Sequence, residues 1–193
     1  MKRILAEVIP HETRMVLEED GKALEIIYER EHEEHIVKRI YKGIVRNILP
    51  GIEAAFIDIG IGRNAYMKIE RRNGEDKLYV GQSILVQVVK EEMDGKAARV
   101  TTDVSLAGRF MVLLPHDKDI RISKKITDSV VRERLLQMAR PYSEKNVGFI
   151  LRTAASKATD EELQADFDYL TNTFMHIQRR FTRAKGGTEL YRD

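Results

Sequence analysis

The sequence predicts an α+β fold, in which a run of short strands is followed by a region of mixed helices and strands. Two observations lead to this prediction. Strand-like segments separated by turn residues extend to about residue 102, and such regular punctuation is typical of a small β-barrel. Beyond that point apolar residues recur at helical spacing, most clearly near the C-terminus. With 193 residues, the chain can bury a substantial core.

The composition excludes several classes of protein. Charged residues make up 33% of the chain and hydrophobic ones 42%, as in an ordinary globular protein. No apolar run approaches the roughly 18 to 20 residues that cross a bilayer, and the N-terminus lacks the apolar stretch of a signal peptide. The absence of cysteine excludes disulfides and thiolate metal sites within this chain. We therefore expect a cytoplasmic protein.

The strands of the first half are predicted from apolar runs and the turns between them. A three-stranded unit comes first, and its Asp20-Gly21 pair is a strong hairpin signal. Its strands are expected at residues 2–9, 13–19 and 23–29. The barrel strands are expected within 36–49, 52–60, 64–69, 83–91 and 98–102.

The second half predicts two strands and two helices. Residues 105–115 and 147–155 read as apolar strands. Asp128 is placed to cap an amphipathic helix over roughly 129–140. Thr159 and Glu162 fit a capping box that opens a long helix. Its predicted apolar stripe consists of Leu163, Phe167, Leu170, Phe174, Ile177 and Phe181.

Two aromatic residues in the predicted barrel fall outside its core pattern. Strand alternation places Phe56 and Tyr66 on the faces opposite Ile57 and Met67. Exposed rings on such a barrel stack on unpaired bases, and nearby cations neutralise phosphates. A neighbouring domain or loop that partly covers one ring is the alternative, and the pattern leaves both open. The candidate cations of this region are Lys42, Arg46, Arg63, Lys68 and Lys96.

A second candidate site lies at the end of the predicted strand 147–155. Arg152 and Thr153 stand side by side there, and a guanidinium fork with a neighbouring hydroxyl suits a phosphate. The ordinary alternative is an arginine that pairs with a carboxylate. Lys124 and Lys125 alone would be solvated surface. The sequence contains no complete catalytic constellation and no metal-binding spacing.

Several segments together resemble the N-terminal half of the ribonuclease E/G family, and the match runs through the whole chain in order. The segments are IYKGIVRNILPGIEAAFIDIG (40–60), KAARVTTDVSLAGRFMVLLP (96–115) and GFILRTAA (148–155). Within them, GIEAAFIDIG and FILRTAA are the most specific to the family. The resemblance implies four parts. These are partial ribonuclease H-like strands at 1–35, an inserted S1 domain (a five-stranded barrel of the OB type) at 36–100, a 5′-sensor region at 101–182, and a basic tail at 183–193.

The resemblance also implies roles for individual residues. Phe56, Tyr66 and Lys96 match S1 residues that contact RNA, and Arg152 and Thr153 match the pair that grips a 5′-monophosphate. Gly108 and Val112 match the strand that frames the terminal nucleotide. Lys124 and Lys125 stand where some members have two arginines, and lysine lacks the bidentate fork.

By this resemblance, the partner is single-stranded RNA with a 5′-monophosphate. The family's catalytic aspartates, which hold Mg²⁺, and its zinc link lie in segments that this sequence does not contain. We therefore expect a piece of a longer enzyme or, alternatively, a free-standing remnant of one, with no cofactor of its own and no cleavage activity alone. One alternative is an S1 module that binds RNA as a regulator without sensing the 5′ end. Another is an assembly module that dimerises through its unpaired N-terminal strands.

Overall fold

A computed structural model of the protein describes residues 1–10, 12–30, 35–69, 77–93, 95–143 and 147–192. The chain divides into two compact units, residues 1–36 and 37–193. The α+β prediction is confirmed: the described chain contains a closed five-stranded barrel, two further sheets and two helices. Within the described residues, neither helix is long and apolar enough to cross a membrane.

The first unit is an antiparallel three-stranded sheet. Asp20 and Gly21 have positive φ angles of 50° and 82°, as a tight two-residue hairpin turn requires. The predicted strands and the hairpin are therefore confirmed. The strands, in sheet order, are β1 (Lys2–Ile9), β2 (Glu12–Glu19) and β3 (Lys22–Arg30).

The second unit begins with the OB-like barrel. Its strands are β4 (Ile40–Leu49), β5 (Ala54–Asp58), β6 (Ala65–Lys68), β7 (Ser83–Lys90) and β8 (Arg99–Thr101). They follow the order β4-β5-β6-β8-β7, and the pairing of β7 with β4 closes the barrel. Gly43 lies where β4 passes over the barrel interior, and a Cβ at this position would overlap the side chain of Ile57.

A four-stranded sheet and the two helices follow the barrel. The sheet has the order β11-β12-β10-β9, and β11 runs parallel to β12. The prediction of one strand over 105–115 is wrong, because the chain turns at 108–110 and its two halves pair with each other. The bounds are β9 (Leu106–Ala107), β10 (Met111–Leu114), β11 (Ile120–Ile122), α1 (Ser129–Ser143), β12 (Gly148–Leu151) and α2 (Asp160–Arg183).

Both helices begin at the predicted caps. The Asp128 carboxylate accepts from the backbone N–H groups of Val130 and Val131, at 2.8 and 3.2 Å. At the start of α2, Thr159 and Glu162 each accept from the other's backbone N–H, as in a capping box. These side chains satisfy N–H groups that have no partner within a helix.

The long helix supplies the centre of the core. The Phe167 ring is fully buried, stacks on Tyr142 at a centroid distance of 4.4 Å, and meets Phe149 edge to face at 5.9 Å. The predicted stripe is confirmed. Leu163, Phe167, Leu170 and Ile177 are buried, while Phe174 and Phe181 are partly buried.

The last strand lies within residues 183–193, the segment that the sequence predicts to be a basic tail. Strand β13 (Thr188–Tyr191) pairs antiparallel with β4, and Leu190 on it is only 1% exposed. Arg39 of the barrel reaches Glu189 across this pairing, with 3.0 Å between Nη1 and Oε2. The segment after α2 is therefore fixed to the barrel by both backbone pairing and an ion pair.

Candidate functional site

The two aromatic residues of the barrel face each other across neighbouring strands. Phe56 on β5 pairs with Tyr66 on β6, and their ring centroids are 6.2 Å apart with an edge-to-face angle of 76°. Both residues are half-exposed, whereas Ile57 and Met67 beside them are buried. The rings thus lie on the outer face of the barrel, as strand alternation predicts.

Three cations on or near β6 and β8 have their charges unopposed within the described residues. Lys68 lies two residues after Tyr66, on the same face of β6, and Arg99 on β8 lies opposite Tyr66. Lys96 lies two residues before Ala98, a loop residue whose carbonyl accepts from the Tyr66 N–H at 2.7 Å. All three side chains are exposed, and within the described ranges none of them has a hydrogen-bond or ion-pair partner. Sequence reasoning missed Arg99, which the alternation in ARVTT, with Val100 buried, could have indicated.

The other three predicted cations are already engaged. Arg46 donates to Asp58 Oδ2 from Nε and Nη2, at 3.1 and 2.7 Å, and Arg63 pairs with Glu92 at 2.9 Å. Lys42 lies at the junction of β4 with the end of α2, where its Nζ donates to the Phe181 carbonyl at 2.8 Å. The structure therefore separates Lys42 from the aromatic face and gives it a role in joining the barrel to α2.

The ion pair beside the aromatic face perturbs a carboxyl group. The hydrogen bonds from Arg46, and then the one from the Gly60 N–H at 2.9 Å, hold the pKa of Asp58 below its ordinary value despite partial burial. Asp58 is therefore ionised and keeps Arg46 in place over the whole neutral range.

The second candidate site forms where two parallel strands end at the same edge of their sheet. Arg152 and Thr153 follow β12, and Ser123, Lys124 and Lys125 follow β11. The hydroxyl oxygens of Thr153 and Ser123 are 3.4 Å apart. The parallel pairing thus brings the two lysines to the same edge as Arg152. Ser123 was not predicted, because only the register of β11 against β12 places it there.

Arg152 is held by carbonyl groups of the turn between β9 and β10. Its Nη1 donates to the Gly108 carbonyl at 2.5 Å, and its backbone N–H donates to the Phe110 carbonyl at 2.7 Å. Within the part of the chain that the structure describes, no carboxylate pairs with its guanidinium. Among the described residues, the alternative of a strand-end arginine paired with a carboxylate finds no partner.

The remaining predicted residues of this site lie on the same sheet. Val112 on β10 is half-exposed between its cross-strand neighbours Ala107 and Ile150, on the face opposite the buried Met111. Gly108 lies in the turn, directly against the carboxylate of Asp166 on α2. The edge therefore combines donor groups with a small apolar face.

The described residues contain no cluster of metal-ligating side chains. Across the ranges that the structure describes, no three His, Asp or Glu side chains come together in a group that could hold an ion. The aromatic face offers rings and positive charge, and the edge at Arg152 offers hydroxyls and positive charge. This chemistry suits the binding of a polyanion with exposed bases.

Comparison with known proteins agrees with this chemistry. A sequence model of the Ribonuclease E/G family matches residues 105–193. Ribonuclease G of Escherichia coli (strain K12) is 34% identical over 206 residues, which include 97% of this chain. The chain belongs to the ribonuclease E/G family. Two further members are Ribonuclease G of Haemophilus influenzae, 32% identical over 97% of this chain, and Ribonuclease E of a Nostoc species, 31% identical over 98%.

This ribonuclease E/G chain is shorter than the relatives that it matches. It spans 42% of the length of the two Ribonuclease G sequences and 28% of the Ribonuclease E sequence. Both candidate surfaces lie inside the aligned length, and the edge at Arg152 also lies inside the residues that the family model matches.

We expect Asp58→Asn to lower the free energy of unfolding at neutral pH, because Arg46 and the Gly60 N–H lose a charged acceptor. The folded pKa of Asp58 lies below the unfolded value of about 3.9. Its stabilising contribution is therefore complete above that value and is lost as the pH falls through the folded pKa. Urea unfolding of both proteins from pH 7 down to about pH 3 measures the difference, which should shrink as the pH falls.

Asp119→Asn is the matched control, since the Asp119 carboxylate is exposed and has no partner among the described residues. It should change stability little at any pH. A difference between wild type and Asp58→Asn that stays constant with pH would contradict the assigned ion pair.

Proposed function

We propose that this chain is the RNA-binding and 5′-monophosphate-sensing portion of an endoribonuclease that acts on single-stranded RNA. The observation that carries the proposal is the exposure of the Arg152 guanidinium and the groups that surround it. Its guanidinium is exposed at the edge where two parallel strands end, faces no described carboxylate, and shares that edge with two lysines. Membership of the ribonuclease E/G family supports RNA as the ligand.

The barrel would hold the strand by stacking and charge. Each base stacked on a protein ring contributes about 1–3 kcal/mol, largely independent of sequence. The half-exposed rings of Phe56 and Tyr66 adjoin each other and would stack on bases. The phosphates would be neutralised by the exposed side chains of Lys68, Lys96 and Arg99. This surface would therefore bind single-stranded RNA regardless of its 5′ end.

The edge at Arg152 would supply the preference for a 5′-monophosphate. One guanidinium N–H is used on the Gly108 carbonyl, which leaves the other donors of the fork for phosphate oxygens. The hydroxyls of Thr153 and Ser123 add donors, and Lys124 and Lys125 add charge without the fork. Val112 and Gly108 would lie beside the terminal nucleotide.

In the complete enzyme, Mg²⁺ would supply the hydrolytic chemistry, and a zinc link would join subunits. The work proposed for this chain's own residues is to bind and orient RNA. We expect it to act in the cytoplasm and to leave RNA uncut when alone.

We expect Arg152→Ala to abolish a preference for 5′-monophosphorylated over 5′-hydroxyl RNA. Hydrogen bonds to charged groups contribute about 1.5–3 kcal/mol, so the preference should fall by roughly tenfold or more. Fluorescence anisotropy with two short labelled RNAs of the same sequence, differing only at the 5′ end, measures both affinities. Phe56→Ala should weaken both RNAs alike, since stacking does not depend on the 5′ end.

Arg134→Ala is the matched control, because Arg134 also donates to a carbonyl group, that of Ser156, at 2.6 Å. It should leave the preference unchanged. If the wild-type protein bound both RNAs equally, and only Phe56→Ala weakened binding, the chain would be an S1-type RNA-binding module without 5′ sensing.

The three-stranded sheet supports a further proposal, that this chain self-associates. Every residue of β1 is exposed, and Ile4 and Val8 are 72% and 76% exposed. An edge strand with exposed apolar side chains invites pairing with a second copy. Sedimentation equilibrium should show a dimer that Ile4→Lys dissociates, and a wild-type monomer at high concentration would refute the proposal.

A further inference from the structure

The turn between β9 and β10 is held by one carboxylate from the long helix. Asp166 Oδ1 accepts from the Arg109 N–H at 3.1 Å, and Oδ2 accepts from the N–H groups of Phe110 and Met111 at 2.8 and 3.0 Å. Three consecutive amides thus converge on a single half-exposed side chain. This convergence explains why the apolar run 105–115 turns here instead of continuing as one strand.

The close approach of the turn to the helix depends on Gly108. A Cβ on this residue would lie 2.5 Å from Asp166 Oδ1 and 2.6 Å from Oδ2. A larger residue would therefore push against a carboxylate that three hydrogen bonds keep in place. The Gly108 N–H itself donates to the Met111 carbonyl at 2.8 Å, which closes the turn.

The same turn holds Arg152 at two points. Its guanidinium donates to the Gly108 carbonyl, and its backbone N–H donates to the Phe110 carbonyl at 2.7 Å. Asp166 does not contact Arg152 in any hydrogen bond or ion pair of the described chain. It is connected to Arg152 only through the turn that both residues bind.

We propose that Asp166 is a positioning residue for recognition of the 5′-phosphate. Asp166 fixes the turn 108–110 and with it the Gly108 carbonyl, which accepts from the Arg152 guanidinium. The other N–H donors of this guanidinium are therefore oriented before the ligand binds. A preorganised donor binds more tightly because less freedom is lost on binding. The Asp166 carboxylate accepts hydrogen bonds from three backbone N–H groups, and their dipoles offset its negative charge near the place where the phosphate would bind. The inference rests on the proposed function of Arg152.

The variant Asp166→Asn tests this directly, because it keeps the shape of the side chain and replaces one acceptor oxygen by a donor that faces N–H groups. The control is Asp168→Asn, two residues along the same helix, whose carboxylate accepts from Gln164 at 2.8 Å. Two readouts are needed for each protein. One is the ratio of affinities for 5′-monophosphorylated and 5′-hydroxyl RNA, and the other is amide hydrogen exchange at residues 109–111 and 152.

Asp166→Asn should lower the preference for the monophosphate by roughly tenfold, the size expected when a hydrogen bond to a charged group is lost, and leave the affinity for 5′-hydroxyl RNA unchanged. Exchange should quicken at residues 109–111 and at Arg152. In an Arg152→Ala background the substitution should cause no further loss of preference, because residues that act through one another are not additive. Asp168→Asn should change neither readout.

Gly108→Ala provides a second variant that alters no charge. It should displace the Asp166 carboxylate and quicken exchange at residues 109–111 and at Arg152. Measured without RNA, this readout does not depend on the place of Gly108 beside the terminal nucleotide, and it keeps the inference testable if Asp166→Asn fails to fold. A wild-type preference that survives in Asp166→Asn, exchange that stays unchanged in Gly108→Ala, or an equal loss of affinity for both RNAs would overturn the inference while the proposed function stands. Equal binding of the two RNAs by the wild-type protein would overturn both.

Discussion

The second unit depends on one helix, α2, whose contacts at opposite ends fix two different surfaces. Near its start, Phe167 fills the centre of the core while its neighbour Asp166 holds the turn beside Arg152. Near its end, the Phe181 carbonyl accepts from Lys42 of the barrel, and β13 then pairs with β4. At 1.5 Å per residue, Asp166 and Phe181 are roughly 22 Å apart along the axis. The helix therefore links the edge at Arg152 to the barrel, and the hydrogen bonds between Gln87 of β7 and the Ser105 backbone provide a second link.

This arrangement gives the two surfaces separate chemistry. In the proposed function, the aromatic face would bind any single strand, because stacking on Phe56 and Tyr66 needs no particular base and the nearby cations would act on every phosphate. In the proposed function, the edge at Arg152 would bind the 5′-phosphate, which occurs once per strand. When one strand occupies both, the second contact forms at a high effective concentration, so the combined affinity exceeds that of either surface.

Much of this could be predicted from residues close in sequence. The caps at Asp128 and Thr159, the stripe of α2 and the outward faces of Phe56 and Tyr66 follow from local spacing, and the structure agrees with each. The family resemblance added Arg152 as a phosphate ligand, which composition and periodicity alone did not favour over an ordinary ion pair.

The features that sequence reasoning missed depend on contacts between distant residues. The turn at 108–110 exists because Asp166 lies 56 positions beyond Phe110 and accepts its N–H. Strand β13 is stabilised by pairing with β4, and TELY is too short to show a period of its own. Lys42 was placed with the RNA-binding cations by its charge, and only the register of β4 shows that it serves the junction with α2.

The most direct test of the account is the affinity of the wild-type protein for two series of single-stranded RNAs of increasing length, one with a 5′-monophosphate and one with a 5′-hydroxyl. If one strand bridges the edge at Arg152 and the aromatic face, the monophosphate series should gain affinity steeply at the length that spans both surfaces, and the hydroxyl series should rise smoothly. Parallel gains in the two series at every length would contradict a linked pair of surfaces.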